Sequence, residues 1–140
     1  MKGMSADGMV ACVEAPRTAI VGTNRVDGAP QLSPVWYVFE DGRFFISVGT
    51  NTAKVRNLQR DPRISVCVDG GSADYRTVMA SGKAELVPNG DPLQVEMRRR
   101  IIWQYHETEE AARRYWERVR DTEAALIVVL PEKVICQDFR

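Results

Sequence analysis

The hydrophobic positions between Thr18 and Val87 fall in short runs that tight turns separate. These runs are rich in β-branched and aromatic residues, as strands usually are. Asp27-Gly28 and the tripeptide Glu40–Gly42 are sequences of the kind that close β-hairpins. The pattern therefore predicts an antiparallel meander, whose strands are Thr18–Thr23, Gln31–Phe39, Arg43–Val48, Arg63–Val68 and Tyr75–Val87.

Two residues inside these strands predict irregularities. Pro34 has no amide hydrogen to donate to a neighbouring strand, so we expect it at a sheet edge or a bulge. Gly82 predicts a bulge or a bend in its strand. One short helix, TAKVRNLQRD, interrupts the meander, and Asp61-Pro62 ends it because proline restricts the residue before it.

The sequence pattern changes from strand-like to helical after the last of these strands. Asp91 is a suitable helix N-cap and Pro92 occupies the first helical position. A second helix begins near Thr108. In the first helix Arg98–Arg100 are expected on the solvated side. The apolar stripe of that helix is predicted to be Leu93, Met97, Ile101 and Tyr105.

Two last strands, 123–130 and 133–139, flank Pro131. Many short strands with one helical insertion, at about 91–120, predict a mainly β protein. We expect a single domain over residues 1–140, an antiparallel β-barrel with short helices packed on its outside.

Composition excludes several classes of function. The chain has 140 residues, with 19 basic and 19 acidic side chains, and this balance argues against nucleic acid or a membrane surface as a partner. The three cysteines are far apart and His106 is the only histidine, so we expect no metal site. We expect His106 to be capped or exposed rather than catalytic. Without an apolar segment that could serve as a signal peptide or span a bilayer, a cytoplasmic protein is expected.

One short segment nevertheless concentrates positive charge. TNTAKVRNLQRDPR (Thr50–Arg63) contains four basic residues and one acid. On a helical wheel Val55 and Leu58 define the buried side and Lys54 flanks it. Free amide groups at a helix start, beside hydroxyls and a lysine, can bind a phosphate. A solvated basic face would give the same pattern, and the residues alone leave both interpretations open.

The segment GAPQLSPVWYVFEDGRFFISVGTNTAKVRNLQRDPRISVCVD resembles the split β-barrel flavin-binding proteins of the pyridoxamine 5′-phosphate oxidase-like superfamily. It is most similar to their F-420-dependent reductase branch, which uses a deazaflavin. The resemblance rests on K-x-R-N-L-x-R-D-P-R at Lys54–Arg63, preceded by P-x-x-S-P-V-W at Pro30–Trp36. It covers about residues 19–87, and the closing LIVVLPEKVICQDF is also similar.

The resemblance implies a homodimer with two cofactor sites at its interface. Lys54 and its neighbours Thr50, Asn51, Arg56 and Asn57 would hold the cofactor phosphate. The residues that would line the ring are Gln31, Ser33, Pro34, Val35 and Trp36. The candidates for a contribution from the second subunit are Tyr75, Arg76, Trp103 and Tyr105.

The function implied is hydride transfer from reduced coenzyme F-420 to a small unsaturated or conjugated acceptor. FMN in place of F-420 is the first alternative, since both carry a ribityl phosphate. A non-catalytic protein that binds a flavin, haem or tetrapyrrole is the second. The chain lacks the arginine- and lysine-bearing strand pattern of true pyridoxamine phosphate oxidases, so we do not expect that activity. No catalytic side chain is assigned, because the cofactor performs the difficult step in such reactions.

Overall fold

A computed structural model describes residues 2–3, 6–71 and 74–139. In these ranges the chain is mainly β, with eight strands and four helices, which confirms the predicted class. The elements in chain order are β1 (Lys2–Gly3), α1 (Ala6–Glu14), β2 (Ala19–Asn24), β3 (Pro30–Val35), β4 (Tyr37–Glu40), β5 (Arg43–Gly49), α2 (Ala53–Arg60), β6 (Arg63–Asp69), β7 (Arg76–Val87), α3 (Pro92–Gln104), α4 (Glu109–Val119) and β8 (Ala124–Asp138).

The strands form an antiparallel sheet in the order β3-β2-β6-β7-β8-β5-β4, with β1 paired to β8. β3 and β4 lie at opposite ends of this order, although only Trp36 separates them in the chain. The sheet therefore has to curl until its two edge strands meet at Trp36, which fits a split barrel. The predicted strand Gln31–Phe39 is wrong in this respect, because it is two strands that change direction at Trp36.

The predicted turns and irregularities are confirmed. Gly28 adopts a φ of 86° in the β2–β3 hairpin, and Asp41 and Gly42 adopt φ values of 53° and 74° between β4 and β5. Pro34 lies in β3, an edge strand that pairs only with β2. A register shift occurs between Ser81 and Gly82. There a Cβ on residue 82 would lie 2.5 Å from the Leu130 carbonyl oxygen, so only glycine fits without a shift of the backbone.

The two strands predicted at the end of the described chain form a single strand, β8. β8 runs through Pro131 and pairs with β7 from Leu126 to Asp138. Proline is tolerated there because the bulge opposite Gly82 interrupts the regular pairing, with Gly82 opposite Pro131 and Ser81 opposite Lys133.

The main core fills the inside of the curled sheet. Val21, Tyr37 and Ile46 are fully buried there. α1, which the hydrophobic pattern does not predict, adds Cys12 and Val13 to the same core. The Tyr37 hydroxyl donates a hydrogen bond to the Val13 carbonyl at 2.7 Å and so attaches α1 to β4.

α3 packs on the outer face of β4, β5 and β8, where Met97 and Ile101 contact Phe45. The predicted stripe is wrong at its start, because Leu93 is 38 % exposed, and Arg98 is buried rather than solvated. Residues spaced by four rotate about 40° per step around a helix, so Leu93 drifts about 80° from Ile101 and leaves the buried face. None of the described helices combines the length and apolarity needed to cross a bilayer.

A carboxylate between two arginines connects α1 to β7. Asp74 accepts hydrogen bonds from Arg17 and Arg76, each at 2.5 Å, and all three side chains are largely buried. Arg17 also donates to the Cys12 carbonyl and Arg76 to the Gly8 carbonyl. The hydrogen bonds from Arg76, together with the charge of Arg17, hold the pKa of the Asp74 carboxyl well below its usual range.

We expect this pairing to make stability dependent on acid pH. Because the pKa of Asp74 is lower in the folded chain than in the unfolded one, its stabilisation is complete above about pH 4 and declines below it. Asp74→Asn should lower the free energy of unfolding by about 2 kcal/mol at neutral pH and by less in acid. Urea unfolding from neutral to acid pH measures both, with the exposed Asp121→Asn as control. Parallel pH curves for Asp74→Asn and the wild type would contradict this assignment.

Candidate functional site

A cleft of about 530 Å³ opens where the two sheet edges meet. The cleft is lined by the end of β3, Trp36, the end of β5, α3, α4 and the segment before β8. We call it the central cleft. Its volume is in the range of small-molecule sites. The residues that bear on its chemistry are Pro34, Val35, Trp36, Lys54, Arg98 and Tyr115.

Trp36 gives the cleft a rigid aromatic surface. Its ring stacks on Tyr105 with a centroid distance of 5.0 Å and an interplanar angle of 8°, and it contacts Tyr115 at 5.5 Å. The Tyr105 hydroxyl donates to the Arg17 carbonyl at 2.5 Å and accepts from the Tyr37 amide at 3.2 Å. Tyr105 therefore fixes Trp36 from inside the same chain, and a flat ring can pack on this surface.

Lys54 lies in the first turn of α2 and lines the same cleft. Partial burial lowers the pKa of its ammonium group. No carboxylate lies within ion-pair distance of Lys54 in the part of the chain that the structure describes. A partly desolvated cation without a counter-ion favours the binding of an anion.

The start of α2 supports the same chemistry. Thr52 is the N-cap residue, yet its hydroxyl donates to the Gly49 carbonyl at 2.9 Å and caps no helix amide. The Thr50 hydroxyl oxygen is buried and finds no hydrogen-bond partner among the described residues. Helix amides without a side-chain cap, an unpaired hydroxyl and Lys54 thus occur within five residues, and this donor set fits a phosphate.

Other predicted site residues have contacts within the chain, and their role in cofactor binding stays a prediction. The Asn57 amide donates to Gln31 at 3.0 Å and to the Thr23 hydroxyl at 3.1 Å, and Asn57 is 7 % exposed. This network attaches α2 to β2 and β3. Ser33 is half-buried on β3, between Gln31 and Pro34, and does not line the central cleft.

Arg56 faces a second groove, on the other side of α2. The groove has a volume of about 530 Å³, and three of the residues that line it are Arg25, Arg56 and Arg60. We call it the arginine groove. Arg56 donates to the Asn51 carbonyl at 3.0 Å and Arg60 to the Asn24 carbonyl at 2.6 Å. Among the described residues none of the three forms an ion pair, although Asp27 lies at the groove.

The candidates for the second subunit are not in the central cleft of their own chain. Tyr75 is 51 % exposed, and Arg76 is engaged with Asp74. The Trp103 indole donates to Glu109 at 3.0 Å. Their contribution to a partner's site stays a prediction, whereas Tyr105 has the supporting role beside Trp36 described above.

His106 also has a structural environment. Its Nδ1 lies 2.6 Å from the Ile102 carbonyl oxygen, and its ring contacts Trp36 edge-on at 5.7 Å. His106 is a half-buried residue that follows α3, and its lack of a catalytic role stays a prediction. In the described ranges no group of three or more histidine, cysteine or acidic residues could hold a metal ion.

Arg98 is one of the cleft residues that sequence reasoning missed. It is 7 % exposed and lines the cleft from α3. A signal was present, since Arg98 precedes Ile101 and Ile102 by three and four residues and so shares their helix face. The run of three arginines concealed it, because such a run usually lies in solvent.

Apolar side chains form a continuous row on the outer face of the sheet. Register places Pro34 beside Ile20, Ile20 beside Cys67, Cys67 beside Met79, and Met79 beside Ile135. Ile20 and Ile135 are 39 % and 43 % exposed, and Pro34 is exposed as well. We call these five residues the apolar row. It ends at Pro34, which is also a wall of the central cleft.

Comparison with known proteins places these features in a family. A family model described as pyridoxamine 5′-phosphate oxidase matches residues 6–135. The chain belongs to the pyridoxamine 5′-phosphate oxidase family. Flavin-binding proteins share its fold.

Solved structures support the same fold. A conserved hypothetical protein from Mycobacterium tuberculosis is 27 % identical, with a TM-score of 0.79 over 98 % of this chain and 86 % of that one. An F420 reductase is 21 % identical, with a TM-score of 0.68 over 89 % and 94 % of the two chains. A FAD-binding protein from Mesorhizobium loti is 18 % identical, with a TM-score of 0.68 over 96 % and 95 %. The last two similarities show the fold of this chain and do not identify its cofactor.

Proposed function

We propose that this member of the pyridoxamine 5′-phosphate oxidase family is an F-420-dependent oxidoreductase that reduces a small unsaturated or conjugated acceptor. One observation carries the proposal. Lys54, in the first turn of α2, lines one cleft of suitable size together with the aromatic surface at Pro34–Trp36. A cofactor that joins a phosphate to a flat ring system requires both features.

In this proposal different residues bind different parts of the cofactor. Lys54, the hydroxyl of Thr50 and the first amides of α2 hold the phosphate. Pro34–Trp36 and their backbone groups orient the ring, and Tyr105 keeps Trp36 in place. The reduced deazaflavin, when bound, supplies the hydride. The chain binds, orients and excludes water, and no side chain is assigned a proton transfer.

The test is a fluorescence titration of the cofactor-free protein with F-420 and, in parallel, with FMN. We expect F-420 to bind at least about tenfold more tightly, because only F-420 offers both a phosphate and a longer acidic tail. Tight binding of FMN alone would replace F-420 by FMN as the cofactor. Binding of neither would remove the proposed function and leave the family assignment intact.

The arginine groove is the proposed binding place for the acidic tail of F-420. It lies against α2 on the side opposite Lys54, so one helix separates the proposed phosphate position from three arginines that form no ion pair with any described residue. We expect the double variant Arg56→Met, Arg60→Met to weaken F-420 binding by about tenfold and FMN binding by less than about twofold. Arg63→Met, at an exposed arginine paired with Asp61, is the matched control. Equal losses for both cofactors would place the tail elsewhere.

The proposed active form is a homodimer that joins through the apolar row. The row spans five adjacent strands and ends at Pro34 on the cleft wall. A second chain seated there would border the cleft and could supply groups to it, Tyr75 and Arg76 among them. The interface thereby becomes part of the site.

A further inference from the structure

Arg98 is a buried cation whose charge no acid in the described ranges neutralises. Its guanidinium donates to the Thr122 carbonyl at 3.0 Å, to the Thr122 hydroxyl at 3.0 Å and to the Val119 carbonyl at 2.6 Å. It also lies over the Trp116 ring, 5.6 Å from the centroid. All these partners are neutral. None of the ion pairs among the described residues includes Arg98.

The hydrogen bonds account for the position of the Arg98 side chain, but they do not neutralise its positive charge. Val119 is the last residue of α4, so the carbonyls there are the negative end of a helix. That end carries only about half an elementary charge, which leaves the guanidinium partly uncompensated. Burial lowers the pKa of Arg98, in agreement with a charge that lacks an acidic partner.

Arg98 lies in the central cleft beside apolar and aromatic side chains. Arg98 lines the cleft from α3, together with Ile101, Ile102 and Tyr115, and the Tyr115 ring contacts the Trp36 ring at 5.5 Å. Two of its five N–H donors remain after the three hydrogen bonds above. Lys54 and the exposed Glu123 are the other charged residues that line the cleft.

We propose that Arg98 binds a carboxylate on the acceptor, so that the central cleft selects acidic unsaturated acceptors over neutral ones. The identity of the molecule as an acceptor rests on the proposed function, whereas the carboxylate site rests on the cleft itself. A guanidinium suits this task because its planar set of N–H donors matches a carboxylate. The apolar wall of Ile101, Ile102 and Tyr115 would hold the conjugated part of the same molecule.

Cinnamate and cinnamamide are a matched pair of probes, because they differ mainly in charge. We would titrate each into isotope-labelled protein without cofactor and follow the indole and arginine N–H signals by NMR. The wild type should bind cinnamate at least about tenfold more tightly than cinnamamide. Arg98→Met should lose this preference, and Arg99→Met, at an exposed neighbour on the same helix, should retain it. In the wild type only cinnamate should shift the Nε–H signal of Arg98.

Three results would overturn the proposal: equal affinity of the wild type for both probes, a preference that survives Arg98→Met, or a preference that Lys54→Met abolishes instead. If Arg98→Met does not fold, Arg98→Lys decides, because it keeps the charge and loses the planar donors. It should bind cinnamate less tightly than the wild type and cinnamamide equally well. Repeating the titrations with F-420 or FMN present separates the carboxylate site from the proposed cofactor-dependent function. If a cofactor does not bind, the result for Arg98 remains valid.

Discussion

Replacing Lys54 with alanine is expected to weaken the binding of F-420 by about 1.5–3 kcal/mol, roughly a tenfold to 150-fold increase in Kd. The loss is that of a charged hydrogen bond to the cofactor phosphate. It should be close to the full value, because Lys54 is half-buried and has no carboxylate partner among the described residues to compete with the phosphate. Fluorescence titration at constant ionic strength measures the change.

Two further variants make this result specific. Lys54→Arg keeps a positive charge at the start of α2 and should lose much less affinity than Lys54→Ala. Lys83→Ala removes an exposed lysine on β7, outside the cleft, and should leave Kd unchanged. Thermal unfolding of each variant shows whether the fold is preserved. An unchanged Kd in a folded Lys54→Ala protein would exclude Lys54 from the site.

Local sequence rules predicted most elements, because those elements depend on local chemistry. The turns at Asp27-Gly28 and Glu40–Gly42 require residues that tolerate positive φ, and those residues can be read from the sequence. The caps at Asp91 and Thr108 each accept a hydrogen bond from an amide two or three residues later. Neither kind of feature needs information from a distant part of the chain.

The change of direction at Trp36 has a different cause. Pro34 and Trp36 are strand-forming in their local pattern, and the residues on both sides do pair in strands. What breaks the strand is the closure of the sheet, which brings β3 and β4 to opposite edges. The pairing of β5 with β8, about 80 residues away, determines this closure, and no local window contains it.

The burial of polar residues near the site also depends on distant parts of the chain, so local sequence does not predict it. Asn57 is buried because Thr23 and Gln31 satisfy its amide from 34 and 26 residues away, and its role as a cofactor ligand stays a prediction. Arg98 was predicted to be in solvent, but carbonyls 21 and 24 residues later accept its hydrogen bonds and allow its burial. A polar side chain can be buried where such partners exist, and tertiary structure supplies them. Pro34–Trp36 and Lys54 were selected because their motifs resemble those of a known family, and their role as cofactor ligands stays a prediction.

Placing a charge in the apolar row is expected to dissociate the proposed dimer. Ile20 is the second residue of the row, with Pro34 on one side and Cys67 on the other. Ile20→Glu would bury an unpaired carboxylate in the interface, which costs several kcal/mol and should raise the dimer Kd by at least about 100-fold. Light scattering after size exclusion would then give the 15.8 kDa of one chain, whereas the wild type should give twice that mass.

Val95→Glu is the matched control, because Val95 is 43 % exposed, close to the 39 % of Ile20, and lies on α3 outside the row. It should remain dimeric. If the second chain completes the site, Ile20→Glu should also lose affinity for F-420, and raising its concentration should restore both the dimer and the binding. A wild type that is monomeric at every concentration would remove the interface from the proposal. A monomeric Ile20→Glu that binds F-420 as tightly as the wild type would show that one chain holds the cofactor without help.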